Sequence, residues 1–236
     1  HGFGIPSGNV LPFIEAMRKG DIEFVLTAHE GTAGFAADVT GRLTRTPGLC
    51  VATLGPGATN LATGVGDAWL DRSPMIAVTC NLNTNQLGRR LQMLIDHHAL
   101  FQPITKASYA VRRGNIVETV QNAIRVALTE PMGPVHLDLP EDVMLAPATE
   151  DVPPPVVAPE FDLKADYAAI ARAHELLAGA QRPIAVLGSS AIRMRDPHLL
   201  RRFAAKPHLP LSPTPTPTGR ILHDPTLPAR GPSPTL

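Results

Sequence analysis

An apolar run through Val25 and Leu26 leads into His29 and Glu30, and a segment of small residues, Gly31, Ala33, Gly34, Ala36 and Ala37, follows at once. This pattern predicts a strand, then a carboxylate, then a helix. In open parallel α/β sheets ligands sit at the carboxyl ends of the strands, so Glu30 stands where a ligand would bind. A buried carboxyl holds its proton to higher pH and can exchange it near neutrality. Read alone, Glu30 is also a first-turn carboxylate favoured by the helix dipole, and His29 reads as a structural hydrogen-bonding residue. A second strand end echoes the first: Leu49 to Leu54, then Gly55-Pro56-Gly57-Ala58-Thr59-Asn60. A glycine turn of this kind lets a ligand approach main-chain N–H groups. Its spacing is not the dinucleotide fingerprint, and it lacks the lysine of the phosphate-binding loop. The two strand ends are read as one site.

The elements that must position these residues follow from periodicity. Strands are expected at 1–5, 22–27, 49–54, 75–80, 108–111 and 135–139. Helices are expected from Val10 to a stop at Gly20, over 30–44, over 58–71, in a short piece ending near Leu100, and through Val117, Val120, Ile124, Ala127 and Leu128. Ser7 or Asn9 is a candidate cap for the first helix. Strands alternating with helices at this spacing predict an α/β fold with a doubly wound parallel sheet. Residues 140–160 hold six prolines and read as an extended linker crossing a surface. A second α/β pattern then begins, with a helix at 163–177, a strand at 184–187 and a helix at 197–205. Nine of the last 30 residues are proline. Pro213 to Thr218 is incompatible with a central strand and reads as polyproline or disordered chain.

Composition narrows the function classes. Hydrophobic residues make up 44% of the 236, enough to build an ordinary core. The 21 basic and 21 acidic residues balance, and no long basic run occurs, so nothing points to nucleic acid or a polybasic membrane contact. No apolar run reaches the roughly 18 residues of a membrane span, and no signal peptide opens the chain. Cys50 and Cys80 both sit in apolar strand-like runs and read as packed thiols, in keeping with a cytoplasmic protein. Position 1 is histidine and Gly2-Phe3-Gly4-Ile5-Pro6 reads as the end of a strand, so the chain is expected to be a fragment.

Several motifs in order carry a resemblance. They are Phe3-Gly4-Ile5-Pro6, His29-Glu30, Gly55 to Asn60, Asp67-Ala68-Trp69-Leu70-Asp71 with Pro74, Ile104-Thr105-Lys106, and Gly133-Pro134-Val135-His136-Leu137-Asp138-Leu139-Pro140. With them, residues 2 to about 145 resemble the N-terminal, pyrimidine-binding domain of thiamine-diphosphate enzymes of the acetolactate synthase and 2-keto acid decarboxylase group. Residues 160–205 resemble, more weakly, the start of the Rossmann-like central domain of those enzymes. The domains implied are 1–145 for the pyrimidine, 146–160 as linker and 161–236 as a partial central domain with a proline-rich tail.

The resemblance implies that the parent decarboxylates a 2-keto acid and either protonates or ligates the product. It implies that Glu30 hydrogen-bonds N1′ of the cofactor's aminopyrimidine and so promotes loss of the thiazolium C2 proton. Pro6, Thr53, Gly57 and Asn60 match positions that line the pyrimidine pocket. Two branches are mixed in residues 86–98. The synthases carry a phenylalanine-glutamine pair there; this chain has Leu91-Gln92-Met93, and counting back from Pro103 puts the family glutamine on Met93. His97-His98-Ala99-Leu100 instead resembles the paired histidines of the pyruvate decarboxylase branch, although both histidines also read as core-edge or solvated residues. Gln92 and His97 therefore join Glu30 as catalytic candidates. The family holds the diphosphate through Mg2+, using a Gly-Asp-Gly segment and a downstream asparagine. No Gly-Asp-Gly occurs here, and Gly66-Asp67-Ala68 is expected inside a helix, so no metal ligand is assigned. The resemblance implies a second subunit that supplies this missing half, a homodimer or homotetramer, and FAD as an option of the parent. Two other readings stand beside it: a non-catalytic or split-subunit partner, and a flavodoxin-like nucleotide domain resting on Gly188-Ser189-Ser190.

Overall fold

In the computed structural model the chain divides into two units, 1–160 and 161–236. The residues described are 1–147, 149–151, 154, 156, 165–194, 196–205 and 209–214. The first unit runs β1 (Gly2–Gly4), α1 (Leu11–Lys19), β2 (Phe24–Leu26), α2 (Glu30–Thr44), β3 (Gly48–Ala52), α3 (Pro56–Asp71), β4 (Met75–Asn81), α4 (His97–Phe101), β5 (Ala107–Ala110), α5 (Ile116–Leu128), β6 (Pro134–Pro140) and α6 (Glu141–Met144). Its six strands form one parallel sheet in the order β2-β1-β3-β4-β6-β5. The chain steps outward from β1 to β2 and then resumes on the other side of β1 with β3. That reversal makes a crevice at the carboxyl ends of β1 and β3, the place where open α/β sheets bind ligands.

Strand residues alternate between two buried faces. Val51, Ile76, Val78, Val135 and Leu137 pack with Ala123 and Ala127 of α5. Cys50, Ala52, Met75 and Ala77 pack with Ala33 and Ala37 of α2, Leu61 and Val65 of α3, and Phe101 of α4. The small residues of α2 let it approach α3 at backbone distance: a Cβ built on Gly64 would lie 2.6 Å from the Cα of Gly34. Arg42 of α2 ties the two helices through ion pairs with Asp38, Asp67 and Asp71. Asp67 thus lies within a helix, as expected. Both cysteines are free and buried, and burial pushes their thiols up to about 12.

The second unit holds α7 (Tyr167–Gly179), β7 (Ala185–Leu187), α8 (Pro197–Ala205) and β8 (Leu211–Pro213), with β7 and β8 paired in parallel. Pro213 closes a strand of a two-stranded sheet, where its missing N–H is tolerated. Residues 215–218 of the proline repeat, and the expected helix start at Leu163, lie outside the described residues.

Two local expectations are corrected. Neither Ser7 nor Asn9 caps α1 with its side chain. Val10 is the N-cap residue, with no side-chain cap bond, because the Asn9 amide is engaged by Thr53 and by the Cys80 carbonyl. The segment after β6 is not extended from its start, because Glu141 and Asp142 open the short helix α6.

Candidate active site

Glu30 is the first residue of α2 and is 9% exposed. His29 is the N-cap, and its Nδ1 accepts the Gly31 N–H at 3.0 Å. That bond satisfies one of the donors left open by the helix start, which leaves the Glu30 carboxylate free of capping duty. Asn60 of α3 donates its Nδ2 to Glu30 Oε2 at 3.0 Å. Oε1 takes no hydrogen bond among the described residues and faces Gly57: a Cβ built there would lie 3.4 Å from Oε1 and 2.7 Å from Thr53 Cγ2. The absent Cβ of Gly57 therefore leaves a cradle walled by a threonine methyl and a carboxylate oxygen. The Thr53 hydroxyl turns the other way and donates to Asn9 Oδ1 at 2.7 Å.

Gly55 shapes the turn. Its φ of 59° and ψ of −113° suit only glycine, and a Cβ there would strike the backbone of Met93. Pro56 takes the first helical position, where its lack of N–H costs nothing. The Gly55 N–H donates to Nε2 of His97 at 3.4 Å.

Of the sequence candidates, Glu30, Thr53, Gly57 and Asn60 come together at the ends of β2, β3 and the start of α3. His97 begins α4, is 1% exposed, and meets this group through Gly55. Pro6 and Gln92 are exposed; Pro6 stands past the end of β1, and Gln92 stands in the turn whose next residue, Met93, lies over Gly55. His98 is half-exposed.

Sequence reasoning missed a buried polar layer beneath α4. His136 and Asp138 of β6, with Thr79 and Asn81 of β4, are all buried. Asp138 Oδ1 lies 2.9 Å from His97 Nδ1, and Asn81 Nδ2 donates to both Asp138 oxygens at 3.0 and 3.1 Å. Thr79 Oγ1 lies 3.0 Å from His97 Nδ1 and 2.8 Å from His136 Nε2. Ser108 of β5 links His136 Nδ1, at 2.7 Å, to His98 Nδ1, at 2.6 Å. The His136 ring stacks on Phe101, with centroids 4.3 Å apart. Burial drives the His136 pKa down to about 3, and the neighbouring histidines add to this against the pull of Asp138. Burial alone would raise Asp138, but hydrogen bonds from His97 and Asn81 outweigh it and hold the carboxyl below its usual range. The available signal was the alternation Val135-His136-Leu137-Asp138-Leu139, which places polar residues on one face of a strand buried on both.

Residues 1–104 match the family described as thiamine pyrophosphate enzyme, N-terminal TPP binding domain. Over these residues the chain is similar to that domain. It is 36% identical over 225 residues to a probable acetolactate synthase large subunit of Methanocaldococcus jannaschii, covering 90% of this chain and 37% of that protein. It is 33% identical over 213 residues to the acetolactate synthase isozyme 2 large subunit of Escherichia coli K12, covering 90% and 38%. It is 33% identical over 225 residues to the acetolactate synthase of Bacillus subtilis, covering 95% and 39%. The chain thus spans under two fifths of the length of these relatives.

The residues present fit half of thiamine diphosphate. Glu30 Oε1 takes no hydrogen bond among the described residues, and the missing Cβ of Gly57 leaves space beside the Thr53 methyl, a lining that would admit a flat heteroaromatic ring. No Gly-Asp-Gly occurs in the sequence. Among the described helices none is long and apolar enough to cross a membrane.

Proposed function

We propose that this chain supplies the pyrimidine half of the cofactor site in a thiamine-diphosphate enzyme that decarboxylates a 2-keto acid and protonates or ligates the product. One observation carries the reading: a buried carboxylate at the carboxyl edge of the sheet, held at one oxygen by Asn60 and presented over Gly57 at the other. Thiamine diphosphate, when bound, would supply an acidic carbon and an electron sink for the electron pair that departing CO2 leaves on the former carbonyl carbon. Glu30 would hydrogen-bond the aminopyrimidine ring nitrogen through Oε1. Asn60 fixes the carboxylate rotamer, and its N–H occupies Oε2 so that Oε1 is the oxygen left for the ring. Gly57 admits the ring, and the Thr53 methyl packs on it. Burial keeps water from competing for the contact, which strengthens it in a low-dielectric setting.

A second polypeptide segment completes the site by holding the diphosphate through Mg2+, and an assembly of at least two copies brings the halves together. Similarity to acetolactate synthases over nine tenths of this chain supports the acetolactate-like assignment over the flavodoxin-like one. The test is Glu30→Gln in the full-length enzyme that contains this chain. C2–H exchange of bound cofactor should slow by orders of magnitude with the cofactor still bound; near-normal exchange removes Glu30 from the reaction. A full-length protein that binds the cofactor and turns over no 2-keto acid would instead favour a non-catalytic partner.

A further inference from the structure

The reading above uses Glu30, Gly57 and Asn60 and leaves the polar layer beneath α4 without a task. Buried polar groups of this number cost stability unless each finds a partner, so their pairing can be worked out proton by proton. Asp138 is ionised and can only accept. It already accepts from Asn81 at both oxygens, and it lies 2.9 Å from His97 Nδ1. That nitrogen therefore carries the proton. His97 Nε2 is left with a lone pair, and it faces the Gly55 N–H. The remainder of the layer closes consistently. Thr79 donates to His136 Nε2, His136 donates from Nδ1 to Ser108, and Ser108 donates to His98 Nδ1.

The Gly55 amide has special need of an acceptor. Gly55 is the N-cap of α3 and has no side chain with which to cap it. Its backbone occupies a conformation that glycine alone visits readily, so the turn is weakly held by its own sequence. His97, 42 residues further along the chain, supplies the missing tether. We propose that Asp138 and His97 are positioning residues: Asp138 locks His97 in the Nδ1–H tautomer, and His97 Nε2 anchors the Gly55 amide, fixing the turn that sets Gly57 against Glu30. His97 then acts through Gly55 and not on the substrate. The tautomer and the anchor stand on geometry alone; only their bearing on cofactor binding rests on the function proposed above.

The experiment is nitrogen-15 NMR of the full chain with labelled histidine and glycine. At neutral pH the His97 spectrum should show a protonated Nδ1 and an unprotonated Nε2. A protonated Nε2 in neutral His97 would overturn the proposal, and this measurement needs no variant. Hydrogen exchange at the Gly55 amide should quicken about tenfold in His97→Leu, the loss of one net hydrogen bond. His97→Gln, whose Oε1 reaches the same place, should restore most of the protection, while Val78 in β4 stays unchanged in both. Equal exchange at Gly55 in wild type, His97→Leu and His97→Gln would also overturn it. In the full-length enzyme His97→Leu should raise the cofactor concentration needed for half-saturation more than it lowers turnover. If the full-length wild type binds no thiamine diphosphate while the NMR results hold, the functional reading falls and the anchor stands.

Discussion

Lowering the pH from 7 to 5 should destabilise the first unit through His136 in particular. The ring is fully buried, stacked on Phe101, and engaged at both nitrogens by hydroxyls. Among the described residues no carboxylate hydrogen-bonds the ring. Burial sets its pKa at about 3, against a reference of 6.5. The folded value lies below the unfolded one, so between these limits the unfolded chain binds a proton that the folded chain does not. Stability is therefore full above pH 6.5 and falls as the pH falls toward about 3. From pH 7 to pH 5 the loss is ~2 kcal/mol. Asp138 does not blur this window. Its folded pKa is lowered, so its contribution persists above the ordinary aspartate range and is lost only in stronger acid. Trp69, the chain's single tryptophan, lies in α3 within the first unit and reports its unfolding in urea. The comparison is wild type against His136→Gln at pH 7 and pH 5. The variant is less stable at pH 7, because glutamine cannot stack on Phe101 and bridge both hydroxyls, but it should lose ~2 kcal/mol less than wild type on acidification. Equal losses in the two proteins would refute the neutral, buried state of His136.

Gly64→Ala should lower the urea midpoint of the first unit by ~1–3 kcal/mol equivalent, because the new methyl meets the Gly34 backbone and α2 and α3 must part; an unchanged midpoint would show that the helices can slide apart freely. Cys50 and Cys80, with thiols pushed up to about 12 by burial, should resist an aromatic disulfide reagent at pH 8 in the folded chain and react together once urea unfolds it. Fast labelling of either one in the native protein would contradict its burial.

Local pattern was legible in the sequence because it depends on near neighbours. The boundaries of α2 follow from His29, a capping side chain, and from the small residues that begin at Gly31. Most of β4 follows from the apolar run Met75 to Val78, the mark of a strand covered on both faces. Glu30 was visible as a carboxylate at a strand end, and Gly57 as part of a glycine turn at another. That these two ends meet was an inference from sheet topology, and the β2-β1-β3 order makes it physical.

What the tertiary structure decided is the use of side chains whose partners are far away in sequence. Asn9 looked like a helix cap and instead bridges Thr53 and Cys80, because β1, β3 and β4 end side by side. His97 looked like a reactive histidine or a core-edge one. Its role depends on Asp138, 41 residues later, and on Gly55, 42 residues earlier, and no periodicity links three such positions. The polar alternation in β6, and Thr79 and Asn81 in β4, carried the trace of the layer they form. A one-dimensional pattern records which face a residue takes, since that is fixed by the local backbone. It cannot record which groups cross that face to meet it, since strand order and register bring them there only when the sheet has closed.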